Sequence, residues 1–285
     1  MHKLTNGEVE VVVSTEFGPR VLEYRRRGGE NAFGVLPNAP GKPTPWGEWH
    51  IRGGHRLWHA PEDPVRTYWP DNDPVKVRGG EREATFTQPI EQNTLIEKEI
   101  AIELGAGSTV RVTHRMRNHG AFDAHLALWA LSVMRTGVVA VIPQPPFESF
   151  PDALGPARPL VTWSYTRMND PRFGWGDRFI RVRQDPRISA PQKIGAYDVI
   201  GVVGYASYGE LFVKMHTPMP GTHTDFGCNA EAFVNDGFLE LETLSPMVTI
   251  APGAQAEHVE VWNLLPLAGE DDAAIADALG QVSRT

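Results

Sequence analysis

Residues 43–74, PTPWGEWHIRGGHRLWHAPEDPVRTYWPDNDP, concentrate the side chains best suited to holding a small polar ligand. They contain Trp46, Trp49, Trp58 and Trp69, with His50, His55, His59 and Arg56 among them. Indole faces form rigid apolar platforms, and Trp, His and Arg N–H groups are donors beside them. The mixture suits a ring that is apolar on one face and hydroxylated at its edge, such as a sugar. Pro43, Pro45, Pro61, Pro64, Pro70 and Pro74 predict that most of the segment does not pair as a regular central strand. The competing reading is a long loop packing its own aromatics over a sheet end.

Carboxylates are offered by Phe238-Leu239-Glu240-Leu241-Glu242-Thr243-Leu244-Ser245-Pro246. Strand alternation sends Glu240 and Glu242 to one face, about 7 Å apart, and Leu239 and Leu241 to the other. A carboxylate lining a partly apolar cleft has its basicity raised by desolvation and can serve as a general base. After Pro252-Gly253, His258, Glu260 and Trp262 alternate with Val259 and Val261. Two neighbouring strands presenting both sets would bring carboxylates, an imidazole and an indole to one surface; a wet outer face has the same pattern.

A metal is a further possibility, because His55 and His59 are four residues apart, His50 is near, and Glu62 and Asp63 offer oxygens. Gly53-Gly54 and Pro61 leave little helix to align them, and no His-x-His pair occurs. Histidines bound to a ligand or to the backbone are the preferred reading, with no metal and no cofactor expected. Nucleophile elbows, phosphate-binding glycine loops and dinucleotide fingerprints are absent, and Cys228 has no basic neighbour.

The elements that must position these groups read mainly as strands. Glu8–Ser14 and Arg20–Arg25 form a hairpin around Phe17-Gly18-Pro19. Strands are expected at Thr85–Phe86, Thr94–Leu104, Ser108–Arg117, His125–Met134, Val138–Ile142, Phe179–Arg183, Val199–Tyr205, Glu210–Met215, Phe238–Thr243 and His258–Leu264. His125–Met134 is so apolar that it should be a central strand covered on both faces. Residues 146–176 read as a long excursion. Acids at Glu270-Asp271-Asp272 followed by Ile275, Leu279 and Val282 predict a C-terminal helix. With 28 Gly and 24 Pro as punctuation, the expectation is one antiparallel domain over 1–285, two large sheets packed face to face.

The 285 residues are 41% hydrophobic and 22% charged, ordinary for a soluble globular protein. A net charge of −8 gives no electrostatic reason to expect nucleic acid or an anionic membrane. Leu126–Met134 is too short to span a bilayer, the Met1–Gly7 start has no apolar signal region, and one cysteine forms no disulfide framework. A cytoplasmic location is the default that remains.

At these residues the chain resembles the galactose mutarotase (aldose 1-epimerase) superfamily, in particular a branch carrying a Gly-Gly-His-Arg-Leu-Trp segment. The carriers are Gly18-Pro19-Arg20-Val21, Gly29-Glu30-Asn31, Gly53 through Glu62, Phe238 through Pro246, and Pro252-Gly253 with His258 through Trp262. The resemblance implies an all-β supersandwich with a sugar cleft on one sheet. It also implies a general base at Glu242, whose Glu-Thr context matches except at Leu244, and a sugar-contacting arginine at Arg56. The family's acid histidine belongs on a central strand, but Leu126–Ala130 has none there; His125 shares a face with Trp129 about 13 Å away. His55 is the best remaining acid, and Trp58, His59, Glu240 and His258 complete the expected sugar contacts. Three readings follow: an enzyme interconverting aldose anomers, a carbohydrate-binding protein without catalysis, and a metal-dependent β-sandwich enzyme built on His50, His55 and His59.

Overall fold

Alternating Val9–Val13 and Val21–Arg26 pair antiparallel as expected, and every further strand pairing is antiparallel too. The computed structural model describes residues 1–136 and 139–282. Two ten-stranded sheets dominate it. The first runs, in spatial order, His2–Thr5, Val9–Val13, Val21–Arg26, His55–Ala60, Ala124–Met134, Leu239–Leu244, Ala230–Val234, Gln192–Ala196 and Leu160–Thr162, with Val248–Ile250 alongside the start of Ala124–Met134. The second runs Phe173–Trp175, Phe179–Arg183, Val139–Pro143, Val202–Ser207, Glu210–His216, Gln255–Pro266, Val110–Asn118, Ile96–Leu104, Glu83–Thr87 and Lys76–Gly79.

The main core lies between the sheets, where Tyr24, Phe33, Phe212 and Trp262 pack edge-on and tilted among Val, Ile and Leu from both layers. A second apolar cluster seats the helix Asp272–Leu279 through Ile275 and Ala278 against Val139, Val141 and Phe179. Asp271 caps that helix by accepting from the Ala274 N–H, and the helix stops at Gly280, short of the expected Val282. Ala124–Met134 is central and buried from Leu126 onward, as its composition predicts. The expected strand start Val138 lies outside the described residues. The 146–176 excursion carries only the short strands Leu160–Thr162 and Phe173–Trp175.

As expected, most of the proline-rich segment stays out of the large sheets, and only His55–Ala60 within it is a buried central strand. The reason is placement: Pro45 and Pro61 bracket the stretch, and none interrupts it. The strand is entered through Gly53 and Gly54, at φ of +78° and +68°. A Cβ at Gly53 would stand 2.1 Å from the Gly34 carbonyl oxygen, and one at Gly54 2.3 Å from that of Val21. Only glycine permits both the left-handed turn and these approaches.

Candidate active site

Register across the first sheet builds the site. Arg56 and Glu242 both stand opposite Leu131, and Glu242 in turn stands opposite Glu231. One step along, Trp58 and Leu244 flank Trp129; in the other direction, Glu240 faces Phe233, which faces Lys193. Paired residues share a sheet face, so these side chains rise together from the face turned away from the second sheet.

That face is roofed by the remaining aromatics. The hairpin Lys42–Thr44/Gly47–Trp49 brings Trp49 to 5.2 Å from Trp58 and to 5.2 Å from Tyr68, edge-on. Arg20 anchors the chain beneath: fully buried, it donates to Asp71 at 2.8 Å and to the Ile51 carbonyl at 2.6 Å. The resulting cleft, about 370 Å³, is bounded by Trp49, Trp58, Tyr68, Trp129 and Tyr165, with Arg56, Lys193, Glu240 and Glu242 in its wall.

The charges are tightly arranged. Arg56 Nη1 donates to Glu240 Oε1 at 2.6 Å, its guanidinium 4.2 Å above the Trp58 ring. Lys193 Nζ stands 2.6 Å from Glu231 and 3.0 Å from Glu242 Oε2, which also accepts from the Trp129 indole at 2.9 Å. Burial, reinforced by the Glu231 charge and opposed by Lys193, pushes the Glu242 carboxyl up to about 7. Burial also raises Glu240, against the pull of Arg56. Burial disfavours the Lys193 ammonium, but Glu231 and Glu242 outweigh it and hold the group well above the ordinary lysine value. A carboxyl titrating near neutrality beside a cation can serve as base or acid near pH 7.

Of the sequence-derived candidates, Arg56, Trp58, Glu240 and Glu242 meet in this cavity, while His55, His59 and His258 do not. The correction follows from alternation. His55 and His59 sit on the opposite face from Arg56 and Trp58, and that face meets the second sheet. The expected shared surface of the two C-terminal segments also fails, because Leu239–Leu244 and Gln255–Pro266 belong to different sheets. His258 therefore approaches the back of the first sheet, 2.8 Å from Thr243 Oγ1.

His55 and His258 join His114 in an interior chain instead. His114 donates from Nδ1 to the His258 carbonyl at 2.9 Å, so its Nε2 accepts from His55 Nε2–H at 2.7 Å, and His55 Nδ1 accepts from the Ser132 hydroxyl at 2.8 Å. Burial holds His55 well below the usual imidazole range, lowers His114, and takes His258 down to about 3, so all three are neutral. Glu260 accepts from Lys214 at 3.0 Å, Thr243 at 2.6 Å and Trp262 Nε1 at 2.7 Å. Burial works against the Glu260 charge, but Lys214 and the surrounding histidines together hold its carboxyl below the usual carboxylate range.

His55, His114 and Glu260 are the one metal-ligand grouping among the described residues, their donor atoms within 4.8 Å of one another. Their lone pairs and protons are already matched, and the Lys214 ammonium supplies the positive charge. The trio His50, His55 and His59 does not converge. His50 turns to Glu48 at 3.3 Å, and His59, about 13 Å along the strand from His55, faces Glu91 at 3.5 Å, which Lys98 pairs at 2.5 Å.

Lys193 and Glu231 were missed in the sequence. Their signal was a lone charge inside a short apolar run, Lys-Ile-Gly-Ala at 193–196 and Ala-Glu-Ala-Phe-Val at 230–234. Burying such a charge requires a partner, so two of them predict a pair.

No family model matches the chain, and no curated protein matches it in sequence. Solved structures do match its fold. A galactose mutarotase-like protein from Lactobacillus casei ATCC 334 aligns over 93% of this chain and 99% of its own, with a TM-score of 0.62 at 12% identity. The Slr1438 protein from Synechocystis sp. PCC 6803 aligns over 93% and 94%, with a TM-score of 0.61 at 10% identity. A putative mutarotase (YeaD) from Salmonella typhimurium aligns over 93% and 90%, with a TM-score of 0.58 at 14% identity. The chain thus has the galactose mutarotase-like β-supersandwich fold. Among the described residues, no helix is long and apolar enough to cross a membrane.

Proposed function

We propose that the protein binds a sugar in this cleft and interconverts its anomers, with Glu242 as general base. The observation that carries the reading is the convergence of Arg56, Glu240 and Glu242 on one aromatic-walled cavity, with Glu242 poised near neutrality. A sugar ring would lie against Trp58 and Trp129, its hydroxyls bonding to Arg56 and Glu240. Glu242 would take the anomeric hydroxyl proton as the C1–O5 bond opens and O5 gains a proton, and the reverse transfers would close the ring on the other face of the aldehyde.

The second reading, carbohydrate binding without catalysis, is favoured by one feature: no histidine stands among the residues lining the cavity. The ring oxygen must then receive its proton from water or from a phenol such as Tyr165, which burial raises to about 12. Polarimetry on freshly dissolved aldoses separates the readings. Acceleration of mutarotation for at least one aldose supports the enzyme. Acceleration of none, with sugar binding retained, establishes the binding protein in its place.

A further inference from the structure

We infer that the cleft selects sugars carrying a protonated amine over neutral and anionic ones; this rests on the sugar-binding reading above. Charge in and behind the wall is unequal. Three cations, Lys42, Arg56 and Lys193, face four carboxylates, Glu62, Glu240, Glu242 and the adjoining Glu231. Arg56 is committed to Glu240 at 2.6 Å, and Lys193 is shared between Glu231 and Glu242. Arg20, beyond Trp49, is taken by Asp71. Arg56 has its Nη1 on Glu240 and its Nε buried without a partner, and Lys193 lies between two carboxylates, so an anion approaching either cation also approaches a carboxylate.

The walls point the same way. Each of the three cations lies against an aromatic face: Lys42 Nζ is 3.2 Å from the Tyr68 centroid, Arg56 4.2 Å from Trp58, and Lys193 4.6 Å from Trp129. Aromatic faces beside carboxylates are the environment an ammonium group prefers. Lys42 is carried by the roof hairpin, so its ammonium shows a positive group already seated on one wall. The missing charge is otherwise supplied by a proton on Glu242, whose carboxyl titrates near 7 between Lys193 and Glu231. The phenols of Tyr68 and Tyr165 are raised by burial and stay neutral. An ammonium ligand replaces that proton and releases it to solvent.

Calorimetric titration of the whole chain at pH 7 tests this with glucosamine against glucose, galactosamine against galactose, and glucose 6-phosphate. In at least one pair the amino sugar should bind about fivefold tighter or better, the yield of one partly exposed ion pair. Its binding should release protons, read as a dependence of the heat on buffer, and glucose 6-phosphate should bind weakest. Glu240→Gln should erase the amine preference and, by freeing Arg56, improve glucose 6-phosphate binding; Lys42→Met should enlarge the preference. Neutral sugars binding as tightly as their amines, or the phosphate binding tightest, overturns the inference and leaves the sugar reading standing. If none of the five binds, both fall.

Discussion

The indole Nε1–H of Trp129 and Oε2 of Glu242 are 2.9 Å apart, from adjacent strands of one sheet. The bond orients the carboxylate while the same indole forms cleft wall, and Lys193 meets the same oxygen at 3.0 Å. A base held by two donors through one oxygen keeps a fixed direction, which a rigid sheet supplies better than a loop.

Glu242→Gln keeps the shape and removes the base. Turnover of any aldose the wild type accepts should fall by about 10²–10⁴-fold, with sugar affinity changing little. Polarimetric rates beside calorimetric affinities check the two halves separately. Equal activity in both proteins would move the base to Glu240.

The wild-type rate should depend on pH through the same group. Glu242 acts as a base only when ionised, and burial has moved its titration to about 7. The rate should therefore rise about tenfold per unit below that pH and level off above it. A flat profile from pH 5 to 8 would remove Glu242 as the rate-determining base.

Lys193→Met leaves Glu231 and Glu242 facing each other with no cation between them. Unfolding free energy should drop by about 3–5 kcal/mol above pH 8, the usual cost of breaking a buried pair. Protonation of the raised Glu242 carboxyl relieves the repulsion, so the loss should shrink as pH falls. Urea denaturation at pH 8.5 and pH 5.5 shows whether it does.

Acid should destabilise the wild type early, through the interior histidines. His55, His114 and His258 are neutral when folded because burial depresses each, but all three protonate near 6.5 when unfolded. The unfolded chain thus binds more protons below that pH, and stability falls as pH falls, by up to about 1.4 kcal/mol per unit for each histidine. Above pH 7 this contribution vanishes. Melting temperatures that hold constant between pH 7 and pH 5 would contradict the buried neutral chain.

Trp58→Ala removes one face of the cleft and the ring under Arg56. Sugar binding should weaken by about 1–3 kcal/mol. Unchanged affinity in a folded variant would show that the aromatic segment only packs the sheet.

Much of the site could be read directly from the residues. Period-two alternation placed Glu240 with Glu242, and the aromatic density around residues 46–69 marked where a roof would form. The apolar run Leu126–Met134 announced the strand on which both halves of the site are hung. Local spacing carries this information because side-chain direction along a strand depends on the backbone alone.

What spacing leaves open is which face of a strand meets which layer. In His55–Ala60 all six residues are buried, since the second sheet covers one face and loops cover the other. The sequence therefore determined that Arg56 and Trp58 part company with His55 and His59, and that the fold is built of strands. Only the packing of the two sheets decided that the histidines turn inward to His114 and Glu91 and the arginine outward to Glu240. The same packing brought Lys193 and Glu231, from strands that begin 58 and 96 residues after Ala124–Met134 ends, beside Glu242. Strand order across a sheet is a long-range choice among apolar surfaces of similar composition, and burial of the whole set, not any local signal, selects it.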